Sequence, residues 1–146
     1  DVKLMKGDDA LVLEKQGVKL VSAAGRQAFS QPCACLNGQH CSIYEQRPRR
    51  CRQFNCHTLK QVMGGQLTRA AALRRIREAR RGAEAVIGLL RALGQHDEHL
   101  PLTRRYQAVM SRPIDLAAGE EEAERRGQLM LAVNDLMTRL HRDFLR

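Results

Sequence analysis

The chain has no tryptophan, only two tyrosines and three phenylalanines in 146 residues. Any core must therefore be built from Leu, Val, Ile, Ala and Met, and the hydrophobic share of 43% is enough for an ordinary globular interior. So few aromatics leave no stacking platform for single-stranded nucleic acid. Long apolar runs are absent too. None approaches the ~20 residues that cross a bilayer, so no membrane partner is expected. There is no signal-peptide pattern, and a cytoplasmic location is expected. No glycine-rich phosphate loop follows a strand. No nucleophile stands beside a base, and Glu78, Glu84 and Asp135 fall in helical patterns as surface charges. No catalytic residue is assigned. Lysine is scarce as well: Lys3, Lys6, Lys15, Lys19 and Lys60 are the only ones among 25 basic residues, and arginine makes up the rest of a net charge of +9. Such a charge can serve a nucleic-acid surface. Here it is spread along helical patterns, and the Arg-rich, Ala-rich balance also matches a GC-rich bacterial genome. The compositional reading is the favoured one.

The length fits one domain or a small module with an appendage. Near the N-terminus, DVKLM reads as a short strand. Asp8 reads as the cap of a short helix that stops at Gly17. VKLV and RQAFS, joined by SAAG, read as a β-hairpin. From residue 33 to 57 the signals are those of loops, with Asn37-Gly38 and Arg47-Pro48 as turn markers and SIYEQ as a helical turn. Beyond the glycines at 64 and 65 the period becomes helical. Leu73, Ile76, Ala79, Ala83, Val86, Ile87, Leu90 and Leu93 form one stripe, with Thr68 as N-cap and Gly94 as stop. A second helix begins near Pro101, carries Leu102, Tyr106, Val109 and Met110, and ends before Pro113. A third runs from about Glu120 to Phe144. Its stripe is Ala123, Leu129, Met130, Val133, Leu136, Met137, Leu140 and Phe144, and its end charges oppose the helix dipole. The expected fold is mainly α (α+β). A cysteine-bearing region, residues 1–63, packs on an antiparallel bundle of about three helices, residues 64–146. The apolar helical faces could also serve a homo-oligomer.

Every cysteine falls between residues 33 and 56, as Cys33, Cys35, Cys41, Cys51 and Cys56. Structural disulfides leave one of the five over, and nothing indicates an oxidising compartment. Inert buried thiols would be scattered through the helices, which have none. Metal ligation explains the crowding, because thiolates hold zinc or iron–sulfur clusters and the binding energy orders a loop that apolar burial cannot. Arg47, Arg49, Arg50 and Arg52 can offset the charge of a tetrathiolate site. His40 and His57 each flank a cysteine and are alternative ligands.

The segment PCACLNGQHCSIYEQRPRRCRQFNC resembles the YkgJ-like cysteine-cluster family, a zinc- or iron-chelating domain. Cys33 and Leu36 match the opening of the family pattern. Cys41, Ile43, Tyr44, Glu45, Arg47, Pro48, Cys51, Arg52 and Phe54 match its centre, and Cys56 its last cysteine. The resemblance covers about residues 29–57 and leaves residues 64–146 unassigned. It implies metal ligation by Cys33, Cys41, Cys51 and Cys56. Tyr44, Arg47, Arg52 and His57 are then the polar neighbours of the sulfurs, and Ile43 and Phe54 anchor the loop. The family also carries an upstream CxxxCxxCC cluster. Nothing before Cys33 is cysteine, and that cluster is expected to precede Asp1. Cys35 has no place in the pattern and reads as a spare thiol.

Three functions follow as expectations. The leading one is a metal-binding protein holding zinc, or alternatively iron, in a chelating or structural role. The second is an iron–sulfur enzyme, since the domain is similar to one in flagellin lysine N-methylases. The third is a basic nucleic-acid-binding protein.

Overall fold

The structure, a computed structural model, describes residues 1–113 and 120–145. It is mainly α with small antiparallel sheets, as the sequence leads one to expect. It divides into two compact units, residues 1–54 with 99–101, and residues 55–98 with 102–146. Among the described residues, no helix is long and apolar enough to cross a membrane.

The first unit begins with strand β1 (Val2–Lys3), helix α1 (Ala10–Lys15), β2 (Leu20–Ala23) and β3 (Arg26–Phe29). β2 and β3 form the expected hairpin. Its two-residue turn, Ala24-Gly25, has both residues at positive φ, 50° and 71°. That backbone matches the right-handed twist of the strands. β1 pairs with β3 to give the order β1-β3-β2, with Val2 and Leu20 both opposite Phe29. α1 ends as expected at Gly17, whose φ of 95° a larger residue resists. Its cap is Asp9, not Asp8: the Asp9 carboxylate accepts from the Val12 amide.

The segment after residue 33 holds more regular structure than its loop signals indicate. β4 (Leu36–Asn37) and β5 (His40–Cys41) form a second hairpin, with Gly38 at positive φ. A single 3₁₀ turn follows at Tyr44–Gln46, where the sequence predicts a helical turn. Helix α2 (Arg49–Gln53) then carries Cys51. The unit's core is Leu13, Val18, Phe29, Cys35 and Ile43, with Val2, Leu4, Leu20, Cys33, Cys41 and Cys51 packed against it.

The second unit contains α3 (His57–Met63), α4 (Arg69–Ala92), α5 (Leu102–Met110) and α6 (Glu120–Asp143). The last three helices agree closely with their sequence patterns. Thr68 caps α4 by accepting from the Ala71 amide, and Gly94 follows its end at positive φ. The core is Val86, Leu90, Val109, Leu129 and Leu136. Leu73 and Ile76 of α4 and Met130 and Met137 of α6, placed on buried stripes by periodicity, are exposed. Length explains part of this. α5 has nine residues and α4 has 24. At 1.5 Å per residue the shorter helix covers well under half of the longer one, and its partners lie in the later turns of α4.

Helix α3, which the sequence pattern does not show, is held to the C-terminal end of α6. The Thr58 hydroxyl donates to the Asp143 carbonyl at 2.5 Å, and the His57 amide donates to the Phe144 carbonyl at 3.1 Å. The Asp143 carboxylate is buried and accepts from the Arg142 guanidinium at 2.8 and 3.0 Å. Those bonds hold its pKa below the ordinary carboxylate value. Burial opposes them, and the charges of Arg142, Arg75 and Arg139 add to them.

A carboxylate whose folded pKa is depressed contributes stability above its unfolded value, and that contribution is lost as pH falls through the folded pKa. Asp143→Asn should therefore lower stability at pH 7 by up to about 1 kcal/mol, a small loss because Arg142 is half solvent-exposed. The gap between variant and parent in thermal melts should close as pH falls below about 4. A gap that does not narrow at all as pH falls would contradict the role assigned to the carboxylate. In the first hairpin, Ala24→Asn gives the preferred Asn-Gly turn and relieves a left-handed alanine, and should stabilise by about 0.5–1 kcal/mol in urea melts.

Candidate functional site

The first unit draws three of the expected ligands together. Cys33, Cys41 and Cys51 come from a turn, a strand and a helix, and all pack on the same core cluster. Each is free and partly buried. The turn at Cys33 is closed by the Leu36 amide, which donates to the Cys33 carbonyl at 2.9 Å. The second hairpin pairs Leu36 with Cys41 and so fixes that thiol's register. α2 presents Cys51 from its first turn, shortly after Pro48. Pro48 is buried and its carbonyl accepts from the Arg52 amide at 3.1 Å. The proline thus opens the helix that places Cys51.

The start of α2 has no side-chain cap of its own. The cap comes from far back in the sequence. Asp8 accepts from the Arg49 amide at 2.9 Å through one carboxylate oxygen and from the Met5 amide at 2.8 Å through the other. The Arg49 guanidinium returns across the same junction to donate to the Lys6 carbonyl at 3.2 Å. Gly7, at a φ of 90°, lies against that guanidinium, and a Cβ there would meet its central carbon at 3.0 Å. Asp8 thus has a structural role that the sequence pattern does not reveal directly. A signal is present all the same: Asp8 and Asp9 offer two caps for one helix, which leaves one of them to act elsewhere.

Burial pushes the Cys51 thiol above its ordinary pKa. The neighbouring Cys33 and Cys41 and the Asp8 carboxylate push the same way, and Arg47 opposes them. Of the four arginines expected around the sulfurs, Arg47 is the one that favours the Cys51 thiolate. Its guanidinium lies 3.8 Å from the centroid of the Tyr44 ring, a cation–π contact that leaves the arginine oriented. Arg49 is committed to Lys6, and Arg50 and Arg52 are exposed.

Of the two loop anchors, Ile43 is buried in the core, but Phe54 is 65% exposed and anchors nothing in its unit. α2 is only five residues long, and Phe54 is its C-cap. Cys56 and His57 belong to the second unit. Cys56 occupies the N-cap position of α3, and His57 is its first residue. His40 is exposed on β5. Cys35, which reads as a spare thiol in the sequence, is the most buried of the five cysteines at 4% exposure.

The donor chemistry of this set suits a soft or borderline metal such as zinc or iron. The side chains do not close a coordination sphere: among the described residues, no group of three or more His, Cys, Asp or Glu is arranged so that it could hold a metal ion.

The Asp8 bridge makes a direct prediction. Asp8→Ala should cost about 1 kcal/mol in urea denaturation, the usual loss of a helix cap. Asp9→Ala, which removes an exposed cap from six-residue α1, should cost less. An equal or reversed order would show that the bridge to α2 adds nothing.

No protein-family model matches the chain, and neither a curated protein nor a solved structure matches it.

Proposed function

We propose that this is a metal-binding protein of the YkgJ-like cysteine-cluster kind, in which the loop thiols hold zinc, or alternatively iron, in a chelating or structural role. The observation that carries the reading is the convergence of Cys33, Cys41 and Cys51 on one small core from three separate elements. Thiols with no common role have no reason to meet. Uncharged, they add little apolar area to a core this small, and as thiolates they repel one another. A divalent cation removes that repulsion and turns it into cross-linking of the loop. When bound, the metal supplies that charge neutralisation and tethering. The chain's own residues do the rest. Pro48 and the Asp8 bridge set α2, the β4–β5 hairpin sets Cys41, and Arg47, steadied on Tyr44, places positive charge near Cys51. In this reading Arg52 is a further polar residue that the family pattern assigns to the site.

Cys41→Ser and Cys51→Ser test the proposal. Each should lower bound metal, measured by elemental analysis of anaerobically purified protein, and each should lower the melting temperature of the loaded protein by several degrees. Metal content and melting temperature unchanged in both variants would overturn the metal reading. The visible spectrum of the same preparation identifies the metal: a zinc site is colourless, and an iron–sulfur cluster absorbs.

A further inference from the structure

Helix α6 carries two stripes at coiled-coil spacing, and the bundle uses one of them. Leu129 and Leu136, with Val133 and Leu140 beside them, belong to the core of the second unit. Displaced by one residue, and so by about 100° around the helix, a second line runs through Ala123, Gly127, Met130, Asn134, Met137 and His141. Its steps alternate between four and three residues, as in a helix-to-helix seam. Every residue of this line is exposed. Met130 and Met137 are 51% and 39% exposed, and Leu131 beside them is 73% exposed. A Cβ on Gly127 would meet nothing within 4 Å.

From this unpartnered line we infer that α6 packs antiparallel against α6 of a second copy of the chain, about a two-fold axis near Asn134. The charge along the helix selects that occupant. The first turn holds Glu120, Glu121 and Glu122, and the last holds His141 and Arg142. Glu121 and Glu122 are engaged by Arg125 and Arg126. Glu124 meets only Gln128 among the described residues. Arg142, although bonded to Asp143, keeps a side chain 58% exposed. An antiparallel copy brings the acidic start of each helix to the basic end of the other, whereas a parallel copy sets like charges side by side. The register that faces Met130 with Met137 of the second copy also brings Glu124 within one residue of Arg142. It sets the small Gly127 beside the larger His141. The two Asn134 amides meet on the axis, where a polar pair fixes alignment. The line lies wholly within the second unit, so the inference is independent of the metal reading.

Sedimentation velocity of the full chain over a micromolar concentration series tests the inference, in reducing buffer so that no disulfide contributes. One pair of helices gives an interface near the small end of the stable range, so a species of twice the 16.5 kDa chain mass should grow in across the series. Met130→Glu and Met137→Lys should each weaken the dimer by at least about tenfold, the loss of one interface anchor. Both side chains face solvent in the single copy, so the circular dichroism of the dilute variants should match that of the parent. The two substitutions in one chain should restore the dimer. In the antiparallel register each introduced carboxylate meets the introduced ammonium of the other copy, whereas parallel packing would set like charges together. A parent chain that stays monomeric throughout would overturn the inference and leave the line to a different protein. Single variants that dimerise as well as the parent would overturn it too. A double variant that binds no more tightly than the singles would overturn the antiparallel register.

Discussion

The first unit has very little hydrocarbon to hold it together, and this shortage governs the rest of its design. Its core cluster is Leu13, Val18, Phe29, Cys35 and Ile43, one of which is itself a thiol. A module of some fifty residues with so small an interior lies near the lower limit at which apolar burial alone sustains a fold. Nature's usual remedies at this size are disulfides or a metal. All five cysteines of this structure are free. The strands and helices of this unit are two to six residues long, too short to be stable by themselves. The hydrogen bonds that matter most therefore run between distant parts of the chain: Asp8 to α2 and β1 to β3.

The second unit follows different rules. α4 and α6 have 24 residues each and are supported by capping, end charges and a continuous aliphatic seam. It carries many arginines, and several are occupied internally. Arg126 is buried, donating to Glu122 and to the carbonyls of Arg112 and Pro113, and it ties α6 to the chain end of α5. Arg105 is buried against the Gln95 carbonyl. Arg139 reaches both Glu78 and Asp135. These residues remove part of the positive charge from the notional nucleic-acid surface, because a guanidinium committed to a carboxylate or a carbonyl is less able to meet a phosphate.

How much of the molecule is legible in the sequence depends on the range of the interactions. The long helices declare themselves through period, cap and stop, since all three signals are local. Thr68 and Gly94 bracket α4 as the pattern predicts. The first hairpin is legible for the same reason. Exposure is harder to read. Leu73 and Met130 have the right spacing for burial, but the amount of cover depends on a partner helix whose length a wheel diagram ignores. Asp8 misleads because its partner, Arg49, lies outside any local window. The hairpin around Gly38 is signalled by Asn37-Gly38, but its strands are two residues long and carry no alternation to confirm it.

The Ala24-Gly25 turn bears on the order in which the first unit assembles. β2 and β3 are neighbours in sequence, so their pairing closes a very short loop and incurs little entropy. Phe29, the largest core side chain of the unit, lies on that hairpin. β1 must return over more than twenty residues to pair with the same strand, and Cys51 arrives from still further along the chain. The hairpin is thus the natural seed on which the slower pieces condense. During synthesis, the seed can exist before the last cysteine of the cluster has left the ribosome.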